Sequence, residues 1–178
     1  MNYGVWNTMS SNTAFIVGFM GSGKSSVLDL IKKNTEINTI DLDQAVLEDN
    51  TTGVESVEEL FNRYGEEYFR IHEVKAFEKI FKNSNTVISL GGGSMTSISI
   101  KNTVINSDKS FYLENEFKNL WLNIKESNRP LVATGKDNVK KIYQDRLDIY
   151  KQCKNTIDMS KLSLEEASEA IVYQLGWG

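Results

Sequence analysis

The stretch Gly18-Phe-Met-Gly-Ser-Gly-Lys-Ser25 has the residue spacing of a phosphate-binding P-loop. The apolar run Ala14–Val17 precedes it, and Val27, Leu28 and Ile31 follow it with helical periodicity. Glycines in such a loop let backbone N–H groups turn towards phosphate oxygens, and the N-terminus of the following helix adds a partial positive charge. The stretch therefore predicts a strand, a nucleotide-binding loop and a helix, in that order.

The chemistry of this loop assigns roles to two of its side chains. Lys24 is expected to reach the β- and γ-phosphates of ATP, and the Ser25 hydroxyl is expected to coordinate Mg²⁺. The predicted ATP-binding residues of the loop are Gly21, Ser22, Gly23, Lys24, Ser25 and Ser26. A glycine-rich turn without a ligand is the alternative. Since switches, motors and small-molecule kinases share this loop, it does not identify the reaction.

Short apolar runs alternate with segments of helical periodicity along the rest of the chain. The further runs are residues 38–42, 86–90, 110–113 and 156–159. Runs this short and continuous are typical of inner strands of a parallel sheet that is covered on both faces. Ser163 and Glu166 have capping-box spacing, which predicts the start of the last helix. We therefore predict a three-layer α/β/α sandwich of the P-loop kinase type, with ligands at the carboxyl ends of the strands.

Composition excludes several classes of protein. The 178 residues, 40% apolar and 25% charged, are typical of a soluble domain, and the single cysteine and single histidine exclude an internal disulfide and a thiolate–imidazole metal site. The formal net charge of −4 argues against nucleic-acid and membrane partners. No basic residue precedes the N-terminal stretch, so we expect neither a signal peptide nor a spanning helix, and a cytoplasmic protein.

The chain contains neither an internal repeat nor a linker-like segment, and we expect residues 13–178 to form one domain. Residues 1–12 are expected to be a disordered extension, because they precede the first motif. A start at Met9 is the alternative to a start at Met1.

Two further segments carry candidate site residues at the same edge of the sheet. Asp41 and Asp43 are two residues apart, so in an extended segment both carboxylates share one face, where one can serve the metal and the other a different group. The alternative is that Asp43 caps the following helix and Asp41 is solvated. After the run 86–90, three glycines bring unsubstituted backbone to the ligand edge: Gly91, Gly92 and Gly93.

In combination these motifs resemble the shikimate kinase family. The matching segments, in chain order, are Gly18–Ser25, Asp41-Leu-Asp43, Phe69-Arg70-Ile-His-Glu73, Gly91–Gly93, Arg129-Pro-Leu131, and Arg146 within Gln144–Tyr150. Each motif is short, but six in order form a specific signature. The resemblance implies a five-stranded parallel sheet of the nucleoside-monophosphate-kinase type, ATP-dependent phosphorylation of the 3-hydroxyl of shikimate, and a monomer.

The resemblance also implies roles for individual residues. Asp43 would hydrogen-bond the reacting hydroxyl, and Asp41 would assist Mg²⁺ through water. Arg70 and Arg146 would bind the substrate carboxylate, while Gly92 would offer its backbone to a ring hydroxyl. Phe61 and Phe69 would line the ring pocket. The implied substrate-binding set is Asp43, Phe61, Phe69, Arg70, Gly91, Gly92, Gly93 and Arg146.

The resemblance also implies a lid segment at about residues 128–138, which carries Arg129 over the phosphates. Arg129 is therefore an implied catalytic residue together with Lys24 and Asp43, and it is also an implied ATP-binding residue. The only proline, Pro130, is expected to hold Arg129 in an extended conformation. The family commonly stacks an arginine on adenine seven residues earlier, where this chain has Leu122. Either Lys125 substitutes for that arginine or Leu122 packs against the base.

Arginine usage supports these assignments independently. The chain has 16 lysines and four arginines, and three of the four arginines fall in the motifs; Arg63 is expected to be a solvated helix residue. A guanidinium binds a carboxylate or phosphate through two parallel hydrogen bonds, which an ammonium group cannot do. Two other functions stay open, a kinase for another carboxylated polyol such as gluconate and a P-loop regulator without transfer activity.

Overall fold

The computed structural model describes residues 12–49 and 52–177, and its central element is a sheet of five strands. The strands are β1 (Thr13–Val17), β2 (Asn38–Asp41), β3 (Thr86–Ser89), β4 (Ser110–Glu114) and β5 (Asn155–Asp158). All neighbouring pairs are parallel, in the order β2-β3-β1-β4-β5. The predicted parallel sheet is confirmed, and β1 with its P-loop lies at its centre.

Helices connect the strands within the described ranges. They are α1 (Lys24–Asn34), α2 (Leu42–Asp49), α3 (Val57–Ile80), α4 (Ile98–Ile105), α5 (Phe117–Ile124), α6 (Pro130–Ala133), α7 (Lys136–Tyr150) and α8 (Leu164–Leu175). A single 3₁₀ turn, Ser94–Thr96, precedes α4, and α3 is interrupted at Gly65. At the start of α8, Ser163 and Glu166 form the predicted capping box.

Two apolar layers cover the two faces of the sheet. Along β1, Ala14 and Ile16 pack with α1 and α8, whereas Phe15 and Val17 pack with α2, α3, α5 and α7. Because successive side chains of a strand point to opposite faces, the buried strand β1 contributes side chains to two separate apolar cores. The three-layer α/β/α prediction is confirmed. None of the helices in the described part of the chain has the length and apolar character needed to cross a membrane.

Two predicted inner strands lie at the edges of the sheet. None of the four residues of β2 is fully buried, and Ile157 is the one buried residue of β5. An edge strand has a neighbour on one side only, so its apolar run does not imply burial on both faces. The expected disordered extension at residues 1–12 lies outside the described residues, except for Asn12.

Candidate active site

A cavity of about 570 Å³ opens at the carboxyl ends of the central strands. The predicted site residues that line it are Gly21, Ser22, Gly23, Lys24, Ser25, Ser26, Asp41, Asp43, Gly91, Gly92 and Arg129. Its far wall is the loop after β5 together with the start of α8, which contributes Met159, Leu162 and Leu164. The topology therefore gathers one ligand site at the edge where the sequence motifs predicted it.

The P-loop backbone has the geometry of an anion-binding loop. Gly21 has a φ of +79°, and a Cβ atom there would lie 2.7 Å from Cγ2 of Ile124, so glycine is required both by conformation and by space. The Ser22 hydroxyl is buried and has no hydrogen-bond partner among the described residues. A buried donor of this kind, in a loop that ends at a helix N-terminus, fits a phosphate ligand.

Lys24 folds back over the loop that precedes it. Its ammonium group donates to the carbonyl oxygens of Gly18 at 2.9 Å and Phe19 at 3.1 Å. The pKa of Lys24 is lowered to about 8: burial lowers it most, Arg129 also lowers it, and Asp43 and Asp41 oppose them. Because a phosphate would add negative charge beside this group, nucleotide binding is expected to restore the ordinary pKa of the ammonium group.

Asp41 and Asp43 do not share an extended face, because β2 ends at Asp41 and Leu42 begins α2. The carboxylate of Asp41 accepts the backbone N–H groups of Asp43 at 2.9 Å and Gln44 at 3.3 Å. Asp41 is therefore the residue that caps α2, and both the extended-face prediction and the alternative in which Asp43 caps the helix are wrong. The two side chains nevertheless line the same cavity, since Asp43 lies in the first helical turn.

The donor set around Asp41 suits Mg²⁺. Its second carboxylate oxygen lies 3.5 Å from the Ser25 hydroxyl oxygen. Within residues 12–49 and 52–177, no three His, Cys, Asp or Glu side chains form a metal-binding group. One hydroxyl and one carboxylate fit a cation that keeps several water ligands and binds to nucleotide phosphates, which is the usual state of Mg²⁺.

The Asp43 carboxylate lies over the first residue of the glycine tract. A Cβ atom on Gly91 would stand 2.6 Å from Oδ1 of Asp43. The pKa of Asp43 is raised to about 6: burial raises it most, the negative charges of Asp41 and Glu73 also raise it, and Lys24 and Arg70 oppose them. At neutral pH this carboxyl group is therefore mostly ionised and still basic enough to accept a proton.

Arg70 is held behind the glycine tract by two carboxylates. Its guanidinium donates to Glu73 at 2.8 Å and to Glu66 at 3.1 and 3.3 Å. Glu73 is fully buried, and its other oxygen accepts the hydroxyl of Ser94 at 2.5 Å. Burial lowers the pKa of Arg70, but the two carboxylates outweigh this effect and the net pKa is raised. The Arg70 guanidinium is therefore always charged, and its two carboxylate partners hold it in one orientation.

The aromatic residues predicted for the ring pocket lie against this arginine. The rings of Phe61 and Phe69 are 4.7 Å apart, and the Arg70 guanidinium carbon lies 6.0 and 5.3 Å from their centroids. A Cβ atom on Gly93 would be 2.1 Å from a nitrogen of Arg70, so only glycine allows this approach.

Arg146 reaches the same tract from α7. It donates to the carbonyl oxygen of Gly92 at 3.0 Å, and the hydroxyl of Tyr150 donates to the same oxygen. These two interior donors bind the Gly92 carbonyl, so the backbone N–H is the group that this glycine can offer to a ligand.

Arg129 stands at the rim of the cavity, immediately before α6. Its φ of −65° and ψ of 131° are extended, as predicted from Pro130, and no residue of α6 is buried. Neither Leu122 nor Lys125 lines the cavity. Leu122 is 54% exposed, and Lys125 pairs with Glu126. Asn123 lines it instead and donates to the Gly21 carbonyl at 2.9 Å.

The remaining predicted residues lie outside the lining of this cavity, and one of them, Arg70, lines a second cavity of about 510 Å³. Phe61, Phe69, Arg70, Gly93 and Arg146 do not line the cavity. The contacts described above place Arg70 against Gly93, and Arg146 against Gly92, which does line it.

Sequence reasoning missed several residues of the site. It assigned no role to Glu73, Ser94 or Tyr150, although the first and last lie inside the motifs. The wall formed by residues 159–164 was also missed. That wall follows a strand of a parallel sheet, so its position at the ligand edge was a usable signal.

Comparisons with known proteins agree on one family. The family model for shikimate kinase matches residues 20–175. A shikimate kinase from Clostridium botulinum (strain Alaska E43 / Type E3) is 32% identical over 160 residues, which are 90% of this chain and 94% of that protein. The crystal structure of shikimate kinase from Aquifex aeolicus has a TM-score of 0.78 and 27% identity, and covers 92% of this chain and 96% of its own. The shikimate kinase from Acinetobacter baumannii in complex with shikimate has a TM-score of 0.80 at 20% identity, over 93% of each chain.

Proposed function

The chain belongs to the shikimate kinase family, and we infer that it transfers the γ-phosphoryl group of ATP to the 3-hydroxyl of shikimate. The observation that carries this inference is the pairing of Asp43 with the P-loop lysine across one cavity. The two groups are close enough for each to shift the pKa of the other. A nucleotide-binding regulator has no use for a basic carboxylate at that place.

ATP is expected to bind along the P-loop, where Lys24 would exchange its carbonyl partners for phosphate oxygens. Three features support this proposal: the loop amides, the N-terminus of α1, and the buried Ser22 hydroxyl, for which the described residues supply no hydrogen-bond partner. Ser25 would hold Mg²⁺ directly and Asp41 would hold it through water. When bound, the metal supplies charge neutralisation at the β- and γ-phosphates.

Asp43 is proposed to orient the acceptor hydroxyl and to receive its proton. Phosphoryl transfer demands positioning above all, because the protein contributes little covalent chemistry to it. A carboxylate with a pKa near 6 can accept a hydrogen bond from the hydroxyl in the ground state and the proton as the bond to phosphorus forms.

Arg70 and Arg146 are proposed to bind the carboxylate of shikimate. The two guanidinium groups converge on consecutive glycines from α3 and α7. Arg70 uses three of its five N–H donors on Glu66 and Glu73, and Arg146 uses one of its five on Gly92, so each guanidinium group keeps donors for a ligand. Phe61 and Phe69 would pack against the ring of the substrate.

Arg129 is proposed to move over the phosphates once both substrates are bound. Its exposed position at the cavity rim and the lack of any buried residue in α6 support a segment that moves independently of the core. The net charge of −4 supports a small-molecule partner in place of nucleic acid or membrane, and we propose a cytoplasmic monomer.

An acceptor panel tests the proposed function. Purified protein is assayed for ADP release with shikimate, quinate, gluconate and nucleoside monophosphates, against a background without acceptor. Shikimate is expected to give the largest rate above background. Turnover only with gluconate would identify a different polyol kinase, and no turnover with any acceptor would leave a nucleotide-binding regulator.

A further inference from the structure

Tyr150 is the last residue of α7, and its hydroxyl makes a hydrogen bond that has no part in the roles proposed for the other site residues. Its hydroxyl donates to the carbonyl oxygen of Gly92, 58 residues away in sequence. Arg146, one helical turn earlier, donates to the same oxygen at 3.0 Å. Two side chains from one helix therefore converge on one backbone atom in the middle of the glycine tract.

The environment of Tyr150 keeps this donor in place. The residue is 1% exposed, and its ring stacks on that of Tyr112 with 5.4 Å between centroids. Burial raises the pKa of Tyr150 to about 12, so the hydroxyl keeps its proton throughout the range in which the protein would work. The ring cannot leave without opening the core, and the protonated hydroxyl keeps the hydrogen that it donates to Gly92.

Two donors on one carbonyl restrain a backbone that is otherwise permissive. A carbonyl oxygen has two lone pairs, and Arg146 and Tyr150 supply a donor for each. Glycine samples more backbone conformations than other residues, so an unrestrained tract would present its N–H groups in many directions. On its other side, a Cβ atom on Gly92 would lie 3.2 Å from the Met20 nitrogen, which places Gly92 against the P-loop.

We propose that Tyr150 is a positioning residue for shikimate. It holds the Gly92 peptide, and with it the Arg146 guanidinium that shares the carbonyl, in the orientation that binds the acceptor. The proposal rests on the proposed function, since it concerns the acceptor half of that site. The competing view is that Tyr150 only fills the core and its hydroxyl bonds to the nearest carbonyl.

The test compares two tyrosines that form one stacked pair. Tyr150→Phe removes the hydroxyl on Gly92 and keeps the ring. Tyr112→Phe is the matched control, because Tyr112 is equally buried and, within the described residues, its hydroxyl makes no hydrogen bond to the glycine tract. Both variants keep the apolar packing, and thermal unfolding followed by circular dichroism checks that both are folded.

Tyr150→Phe is expected to raise the KM for shikimate about 3- to 10-fold, the effect of losing one net hydrogen bond. Its KM for ATP should stay within about twofold of wild type, because the bond lies on the acceptor side. Tyr112→Phe should leave both constants within about twofold. A double-mutant cycle with Arg146→Lys should be non-additive, because the two side chains share one acceptor.

Equal shikimate KM values in the two phenylalanine variants would overturn the positioning role. So would a rise of the same size for ATP and shikimate, or additive effects in the cycle. Wild-type turnover with shikimate is measured first. Its absence would contradict the proposed function and the positioning role together, whereas an active wild type with an unaffected Tyr150→Phe variant contradicts the positioning role alone.

Discussion

At the scale of single residues, the role proposed for Asp43 comes with a cost in stability. Asp43→Asn keeps the shape of the side chain but removes the proton acceptor and the charge that orients the acceptor hydroxyl. We expect kcat to fall by about 10² or more, in the range of a lost general base, with ATP affinity nearly unchanged. Steady-state kinetics and nucleotide titration measure the two effects. A variant that keeps more than half of the wild-type kcat would exclude this role.

The raised pKa of Asp43 predicts opposite pH dependences for activity and stability. Activity should fall as the pH drops through about 6, because the carboxylate becomes protonated. The folded-state pKa lies above the unfolded value, so the protonated group favours folding and this contribution is lost as the pH rises through about 6.

Asp43→Asn should therefore be more stable than wild type at pH 8, by roughly 1–2 kcal/mol, with a smaller difference at pH 4.5. Urea unfolding at the two pH values measures the free energies. A variant that is less stable at pH 8 than at pH 4.5, relative to wild type, would contradict the assignment of the raised pKa to Asp43.

Arg70 and Arg146 test the carboxylate site. Arg70→Lys and Arg146→Lys keep the charge and lose the planar fork, so each should raise the KM for shikimate by an equivalent of about 1.5–3 kcal/mol. The KM for ATP should change much less. Arg63→Lys is the matched control, because Arg63 is an exposed helix residue, as predicted, and its guanidinium pairs with Glu59. Changes confined to the KM for ATP would indicate that the two arginines bind the phosphates of ATP and not the carboxylate of shikimate.

At the scale of elements, the segment around α6 is the part proposed to move. Arg129→Ala should lower kcat by about 10² to 10³, the range for a lost electrostatic donor, with little effect on ATP binding without acceptor. Limited proteolysis within residues 128–138 should slow when shikimate and a non-hydrolysable ATP analogue are both present. Normal kcat with cleavage that ligands do not affect would mean that Arg129 is a surface residue.

The strands were predictable from apolar runs, but their ends were not. The second apolar run was predicted to end at Leu42, which is fully buried. In the structure Leu42 is the first residue of α2 and not the last residue of β2. Hydrophobicity reports burial and does not distinguish the last strand residue from the first helical one. The helix α4 was missed for a related reason: it buries only Ile100 and Val104, too few to set a period.

At the scale of the whole molecule, the sequence predicted that the P-loop and the two aspartates lie at one edge of the sheet, but it did not predict the contacts that hold the site residues in place. The P-loop and the paired aspartates lie at strand ends, so topology alone brings them together. Ser94 contacts Glu73, 21 residues away in sequence, and Tyr150 contacts Gly92, 58 residues away. Periodicity gives the face of an element and not its partner, so such contacts need a three-dimensional structure.

The identity of the product is the most direct test of phosphoryl transfer to the 3-hydroxyl of shikimate. Wild-type protein is incubated with ATP, Mg²⁺ and shikimate, and the product is examined by phosphorus–proton correlation NMR. We predict a phosphomonoester whose phosphorus couples to the proton on carbon 3 of the ring, and no such product with Asp43→Asn on the same timescale. A phosphoryl group on another carbon, or release of inorganic phosphate without a phosphomonoester, would contradict the account.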